Sequence, residues 1–286
     1  MKHKIIAIYR SQQHSPNLMS ADARIMNKVV DALKEENYEI VSVAEEEFVE
    51  RDTVADIIIN MCRTEDALNK MQCLANSGVL VINSPQSIAN CSRRKLYNLF
   101  TENRIPIPPT QIVKTTAESS EIEVSFPLWI KLPDAPTTKK EDICYITTRD
   151  ELSVALREFN ARGEEEVVLS QHLSGDLVKF YSVEGSQFIH TTYPTIEQYS
   201  KFGYEDHNDK VKLIPFDKEN LLQISQRAAE VAGVKIFGGD CIITPSGDPY
   251  IIDFNDWPSF SPCADEASVA IVEMIKKETI KWCKER

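Results

Sequence analysis

The apolar positions of this chain change period in an ordered way. Residues 3–9 are a nearly continuous apolar run, the pattern of a strand buried on both faces. Between 21 and 36, Ala23, Ile25, Met26, Val29, Val30 and Leu33 recur at helical spacing. Strand-like runs follow at 38–43, 55–60 and 78–83, with a helical stretch at 64–75. Strands alternating with helices predict a mainly parallel α/β sheet that closes near residue 84. Beyond it the pattern predicts a helix over 92–103, strands over 126–132 and 143–148, and an amphipathic helix over 150–161. Two apolar runs flank Ser174-Gly175-Asp176 and read as a strand pair or a crossover between domains. Residues 191–208 have no clean period, 210–214 reads as a short strand, 216–234 contains a helix, and 264–284 is an amphipathic helix.

Residues 236–244 and 250–255 are apolar runs on either side of Pro245-Ser246-Gly247-Asp248. That is turn chemistry, so the unit is expected to be a β-hairpin. With the loop symmetric about Ser246 and Gly247, Asp240 lies opposite Asp253, and Asn255 shares a face with Asp253. Directly opposed like charges repel. Two carboxylates and an amide on one face of an Ile-rich hairpin suit a hard divalent cation, with substrate phosphates completing its shell. A register slip of one residue gives the other reading, in which one aspartate faces solvent and holds nothing.

At 286 residues the chain is long enough for two or three small domains with their own cores. Net charge is −12, from 32 basic and 44 acidic side chains, which argues against a broad nucleic-acid surface but leaves room for a basic pocket. No apolar run is long enough to span a bilayer, and the start is too short for a signal peptide. Seven cysteines, an odd number without C-x-x-C, fit reduced thiols. The expectation is a cytoplasmic protein with neither a nucleic-acid nor a membrane partner. No G-x-G-x-x-G follows the first strand, no G-x-S-x-G occurs, and no cysteine has an obvious histidine partner.

Ligands of open α/β sheets sit beyond the carboxyl ends of strands, which makes Arg10 and Arg63 candidate contacts; solvated surface arginines are the plainer reading. Arg93, Arg94 and Lys95 open a helix, where cations oppose the macrodipole and an anion would remove the penalty. Lys131 lies among apolar neighbours, as either a strand-end residue or a desolvated cation suited to phosphate. The polar stretch 133–142 suits a flap. His172 has no partner histidine at zinc spacing, and Lys179 alternates with Tyr181 and Val183 as a half-buried residue.

In order and spacing, these features resemble the ATP-grasp family over most of residues 83–260. The resemblance runs through Asn83-Ser84, the helix with Lys95, and Ile105-Pro106-Ile107-Pro108-Pro109-Thr110. It continues through Pro127-Leu128-Trp129-Ile130-Lys131, Val168-Leu169-Ser170-Gln171 before Gly175, and Gly239-Asp240. Its most specific part is Asp253-Phe254-Asn255 with Pro258-Ser259, thirteen residues after Asp240. The resemblance implies an α/β fold in which two α+β lobes (85–168 and 169–286) clasp ATP behind a small parallel-sheet domain (1–84). It implies that Lys95 and Lys131 hold phosphates, that Leu169, Gln171 and His172 lie in the segment meeting adenine, and that Asp240, Asp253 and Asn255 hold Mg²⁺.

The sequence also departs from the family pattern. The 133–142 loop has no glycine, whereas flaps in many relatives are glycine-rich. Ligases similar to D-alanine–D-alanine ligase carry an arginine two residues before the first metal acid, and here that residue is Gly238. Losing such an oxyanion donor typically costs roughly 2.7–4 kcal/mol. A substitute is expected among Lys179, Lys201, Lys210 and Lys212, with Lys179 and Lys212 the catalytic candidates. The inositol trisphosphate kinase branch also lacks that arginine and has a lysine in a strand after the adenine segment, as Lys179 is here. The expected activity is a carboxylate–amine ligase acting on a small anionic substrate, with Arg10, Arg63, Lys201, Tyr204 and Lys212 as candidate contacts. A small-molecule kinase and a non-catalytic ATP-binding module are the alternatives.

Overall fold

The computed structural model describes residues 2–14, 19–36, 38–134, 140–194 and 211–286. The first sheet contains β1 (Lys4–Tyr9), β2 (Glu39–Ala44), β3 (Ile57–Asn60) and β4 (Leu80–Ile82). Its order is β2-β1-β3-β4 and every pairing is parallel. α1 (Met19–Glu35), α2 (Glu45–Glu50) and α3 (Glu65–Asn76) alternate with its strands. Ile5, Ala7, Ile57 and Ile59 enter one core while Ile6, Ile8 and Ile58 enter another, which is why these strands read as unbroken apolar runs. α3 starts where Thr64 accepts the Ala67 N–H. α2 was not expected, because a six-residue helix with only Glu45 and Phe48 buried is too short to show a period.

Next come α4 (Pro85–Asn90), α5 (Arg93–Glu102), β5 (Thr110–Lys114), β6 (Leu128–Lys131), β7 (Ile143–Ile146), α6 (Arg149–Ala161) and β8 (Glu166–Gln171). The second sheet is antiparallel in the order β5-β8-β6-β7. Leu128, Ile130, Val167 and Leu169 pack against Leu152, Leu156 and Phe159 of α6. Strand alternation then turns Trp129, Lys131, Val168 and Ser170 to the opposite face.

The last elements are β9 (Asp176–Val183), β10 (Ile189–Thr192), α7 (Lys218–Ala232), β11 (Ile236–Ile243), β12 (Pro249–Asp256) and α8 (Ala264–Lys284). They include the third sheet, antiparallel, in the order β10-β9-β11-β12. Its covered face presents Val178, Phe180, Phe237, Cys241 and Phe254 to α7, and also to Leu96 and Phe100 of α5. α8 packs instead with α1 in the core of the first sheet. The expected boundary at 168/169 therefore falls inside β8, and both α5 and α8 pack outside the segment in which the sequence places them. No strand forms at the described part of 210–214. There the N–H groups of Lys212 and Ile214 donate to the buried Asp176 carboxylate at 2.8 and 2.6 Å.

Asn83 joins the first sheet to the third. Its Oδ1 accepts from the N–H groups of Lys235 (2.8 Å) and Ile236 (3.0 Å), and its Nδ2 donates to the Ile236 carbonyl (2.9 Å). Asn60 Nδ2 in turn donates to the carbonyls of Ile82 and Asn83. Both asparagines are buried, and all of these bonds except the half-buried one from Lys235 form away from water.

Candidate active site

The two aspartates meet through a β-bulge. At the turn end, Thr244 pairs with Asp248, which centres the turn on Ser246 and pairs Cys241 with Ile251. The register shifts between Asp240 and Cys241, and beyond the shift Asp240 faces Asp253. Ile252 is the additional residue. The expected pairing is thus present for a different reason, since a symmetric two-residue turn plays no part in it. Asn255 Nδ2 donates to Asp253 Oδ2 at 3.2 Å, so both side chains lie on one face.

Glycines permit this close approach. A Cβ at Gly239 would lie 2.2 Å from the Asp253 carbonyl oxygen and 2.7 Å from the Phe180 ring. A Cβ at Gly238 would lie 2.8 Å from the Phe180 carbonyl oxygen and 2.9 Å from Pro258 Cγ. Position 238 therefore has no room for any side chain, arginine included.

Lys179, opposite Asp240 on β9, donates to both of its carboxylate oxygens, at 2.9 and 3.2 Å. Burial drives the Asp240 carboxyl upward and Asp253 adds to this, with Lys179 offsetting only part. Burial pushes Asp253 the same way, but Arg93, Lys131, the Asn255 bond and Lys179 outweigh it and hold that carboxyl below its ordinary range. Burial, with help from Arg93, lowers Lys131 to about 8 against the pull of both aspartates. The result is a cluster of two acids and three cations between the second and third sheets. Beside it lies a small cavity of about 60 Å³, lined by Arg93, Lys131, Ser170 and Asp253 over the apolar Leu96, Phe100 and Phe254.

Lys131, Lys179, Asp240, Asp253 and Asn255 come together as the sequence suggested. Lys95 does not join them, because its side chain faces solvent. Arg93 lines the cavity instead and donates to the Leu132 carbonyl at 3.0 Å. The signal was available: Arg93 precedes buried Leu96 by three residues and Phe100 by seven, which is one helix face. Leu169 is turned into the core with α6, and Val168 and Ser170 face the cavity in its place. The backbone N–H groups of Gln171 and His172 are taken by the carbonyls of Pro109 (2.8 Å) and Pro127 (2.9 Å), so neither backbone donor is left for a base. His172 Nδ1 accepts from Trp129 Nε1–H at 3.2 Å.

Arg10 and Arg63 are not solvated arginines; both fasten the first sheet to the end of β12 and the residue that follows it. Arg63 donates to Asp256 Oδ2 (2.8 Å) and to its carbonyl (3.1 Å), and Arg10 donates to the Trp257 carbonyl (2.7 Å). Burial, together with neighbouring Arg63, lowers the Arg10 guanidinium to about 10. The Lys212 side chain is exposed and does not line the cavity. Lys201, Tyr204, Lys210 and residues 135–139 of the expected flap lie outside the described residues. Among the described residues no helix is long and apolar enough to cross a membrane.

No family model and no curated protein matches this sequence. Solved structures do match, over almost the whole chain. A D-alanine–D-alanine ligase from Bacillus anthracis complexed with ATP superimposes with a TM-score of 0.66 at 14% identity, covering 98% of this chain and 99% of that one. A RimK domain ATP-grasp protein from Sphaerobacter thermophilus gives 0.67 at 15% identity, covering 94% and 98%. The VanG D-Ala:D-Ser ligase of Enterococcus faecalis gives 0.64 at 13%, covering 91% and 92%. The chain has the ATP-grasp fold.

Proposed function

We propose that this protein is an ATP- and Mg²⁺-dependent ligase that joins a carboxylate to an amine through an acyl phosphate. The observation that carries the reading is the meeting of Asp240, Asp253 and Asn255 with Lys131 and Arg93 at one cavity of the ATP-grasp fold. The named ligases that superimpose on the chain support this choice of chemistry.

The donor set fits Mg²⁺: two carboxylates on opposed strands and an amide oxygen are hard ligands, and the Asp253 carboxyl is held in its charged form. When bound, the cation would neutralise phosphate oxygens. Arg93 and Lys131 would draw the polyphosphate toward the aspartate pair, where charge and position supply most of the catalysis of phosphoryl transfer. Lys179, already at the Asp240 carboxylate, is the described lysine placed to counter charge on the transferred group.

One observation favours a second reading. Gly238 is closed off by Phe180 and Pro258, so the oxyanion arginine of many ligases has no place here. A kinase acting on a small polyol or inositol phosphate needs no such donor. Incubation with Mg²⁺, ATP and a cell metabolite extract separates the two, with Asp253→Asn as control. Equal ADP and free phosphate, dependent on an amine, is the expected result; ADP without phosphate, and an acceptor heavier by one phosphoryl group, overturns it.

A further inference from the structure

The sequence shows no cysteine near a histidine, yet the fold brings such a pair together from opposite ends of the chain. Cys283, in the last turn of α8, is exposed, and its Sγ lies 3.5 Å from Nε2 of His3, just before β1. On the other side of the ring, His3 Nδ1 is 3.8 Å from Asp56 Oδ2, and that carboxylate oxygen also accepts the Lys4 N–H at 2.9 Å. The imidazole is held edge-on to Trp282, with ring centres 5.8 Å apart, and lies 6.5 Å from Tyr38. Trp282 is itself fixed by donation to the Gly78 carbonyl at 2.9 Å. A thiol, a base within reach and an acid behind the base make up the arrangement that activates sulfur nucleophiles. None of these residues belongs to the cavity described above.

We infer that Cys283, His3 and Asp56 form a thiol-modification site that reacts with low-molecular-weight disulfides. His3 Nε2 takes the proton of the Cys283 thiol, and Asp56 stabilises the resulting imidazolium. The thiolate attacks one sulfur of the disulfide; the old S–S bond breaks as the Cys283 Sγ–S bond forms. The departing thiolate takes the proton back from His3 and leaves as a thiol, so electrons and protons balance with no other reactant. His3 touches the reacting sulfur, whereas Asp56 acts through His3 and is a positioning residue. No oxyanion donor faces Cys283 in the described contacts, and an acyl substrate would need one, so exchange at sulfur is the chemistry assigned.

The chain contains its own control, since Cys73 is also exposed but has no described histidine contact. A free thiol is only a few per cent thiolate at neutral pH. Proton transfer to His3 supplies the attacking thiolate, and because nucleophilicity falls as a thiolate is stabilised, a net gain of about threefold is expected. The test incubates full-length protein with glutathione disulfide at neutral pH and follows each cysteine by peptide mass mapping. Cys283 is expected to form the mixed disulfide about threefold faster than Cys73. His3→Ala should bring it to the Cys73 rate, and added imidazole should restore the difference, which a merely structural role for His3 would not allow. His3→Phe, which keeps a ring against Trp282, should lose the advantage with unchanged thermal melting. Asp56→Asn should lower the Cys283 rate toward that of Cys73 and leave Cys73 unchanged. Equal rates at the two cysteines, or an undiminished Cys283 rate in His3→Phe, would overturn the inference.

Discussion

Lys131 sets a pH dependence that differs in sign between ligand binding and folding. Its ammonium is lowered from 10.5 to about 8, chiefly by burial and then by Arg93. At pH 7 about nine-tenths of the protein carries the charged form, and at pH 9 about one-tenth. If polyphosphate requires that charge, affinity falls about tenfold between the two, or ~1.4 kcal/mol. Isothermal titration with a non-hydrolysable ATP analogue and Mg²⁺ at pH 7 and pH 9 measures this directly, with Lys131→Met as reference. The variant should bind more weakly at pH 7 and lose the tenfold step. Folding without ligand goes the other way. Between about 8 and about 10.4 the unfolded chain holds more protons than the folded one at this residue, so its contribution to stability rises with pH there and is lowest below about 8. Weaker binding at pH 9 therefore cannot be put down to unfolding through Lys131. Affinity that is flat from pH 7 to 9, or that falls equally in Lys131→Met, would refute the assignment.

Further predictions concern neighbouring residues. Arg93→Ala should weaken the ATP analogue by about 1.5–3 kcal/mol, the value of a hydrogen bond to a charged group, while Lys95→Ala should change it less than about twofold; the same titration decides. Asn83→Ala leaves the buried N–H of Ile236 and the half-buried N–H of Lys235 without their acceptor and should cost about 1–3 kcal/mol in denaturant unfolding. Arg63→Met leaves buried Asp256 without its counter-charge and should cost about 3–5 kcal/mol, much of it recovered in Arg63→Met/Asp256→Asn.

Where the sequence was legible, side-chain period and local chemistry were sufficient. The apolar runs of β1 and β3, the helical spacing of α1 and the helical stretch of α3 depend on near neighbours, and the strand alternation that turns Lys131 toward the cavity is equally local. What was hidden depends on partners distant in sequence. The apolar stripe of α5 shows that it packs, but which sheet receives Leu96 and Phe100 is settled by tertiary structure alone. Leu169 belongs to the segment resembling the family motif, yet a step of one residue in a strand decides between core and cavity. Arg10 and Arg63 stand at the strand ends where ligands bind in many α/β sheets, and only the folded position of Asp256 and Trp257 shows that they hold protein. Cys283 and His3 lie at opposite ends of the chain, beyond the reach of any spacing rule.

The proposed acyl phosphate makes a demand on oxygen that a kinase does not. Carboxylates in a metabolite pool can be labelled with ¹⁸O by exchange in acidified heavy-oxygen water, then supplied with ATP, Mg²⁺ and an amine pool. Mass spectrometry of the released phosphate is the decisive measurement. A ligase working through an acyl phosphate transfers one labelled oxygen from carboxylate to phosphate in each turnover, and Asp253→Asn should release none. Unlabelled phosphate, or ATP consumed with the phosphoryl group retained on an acceptor, would contradict the account.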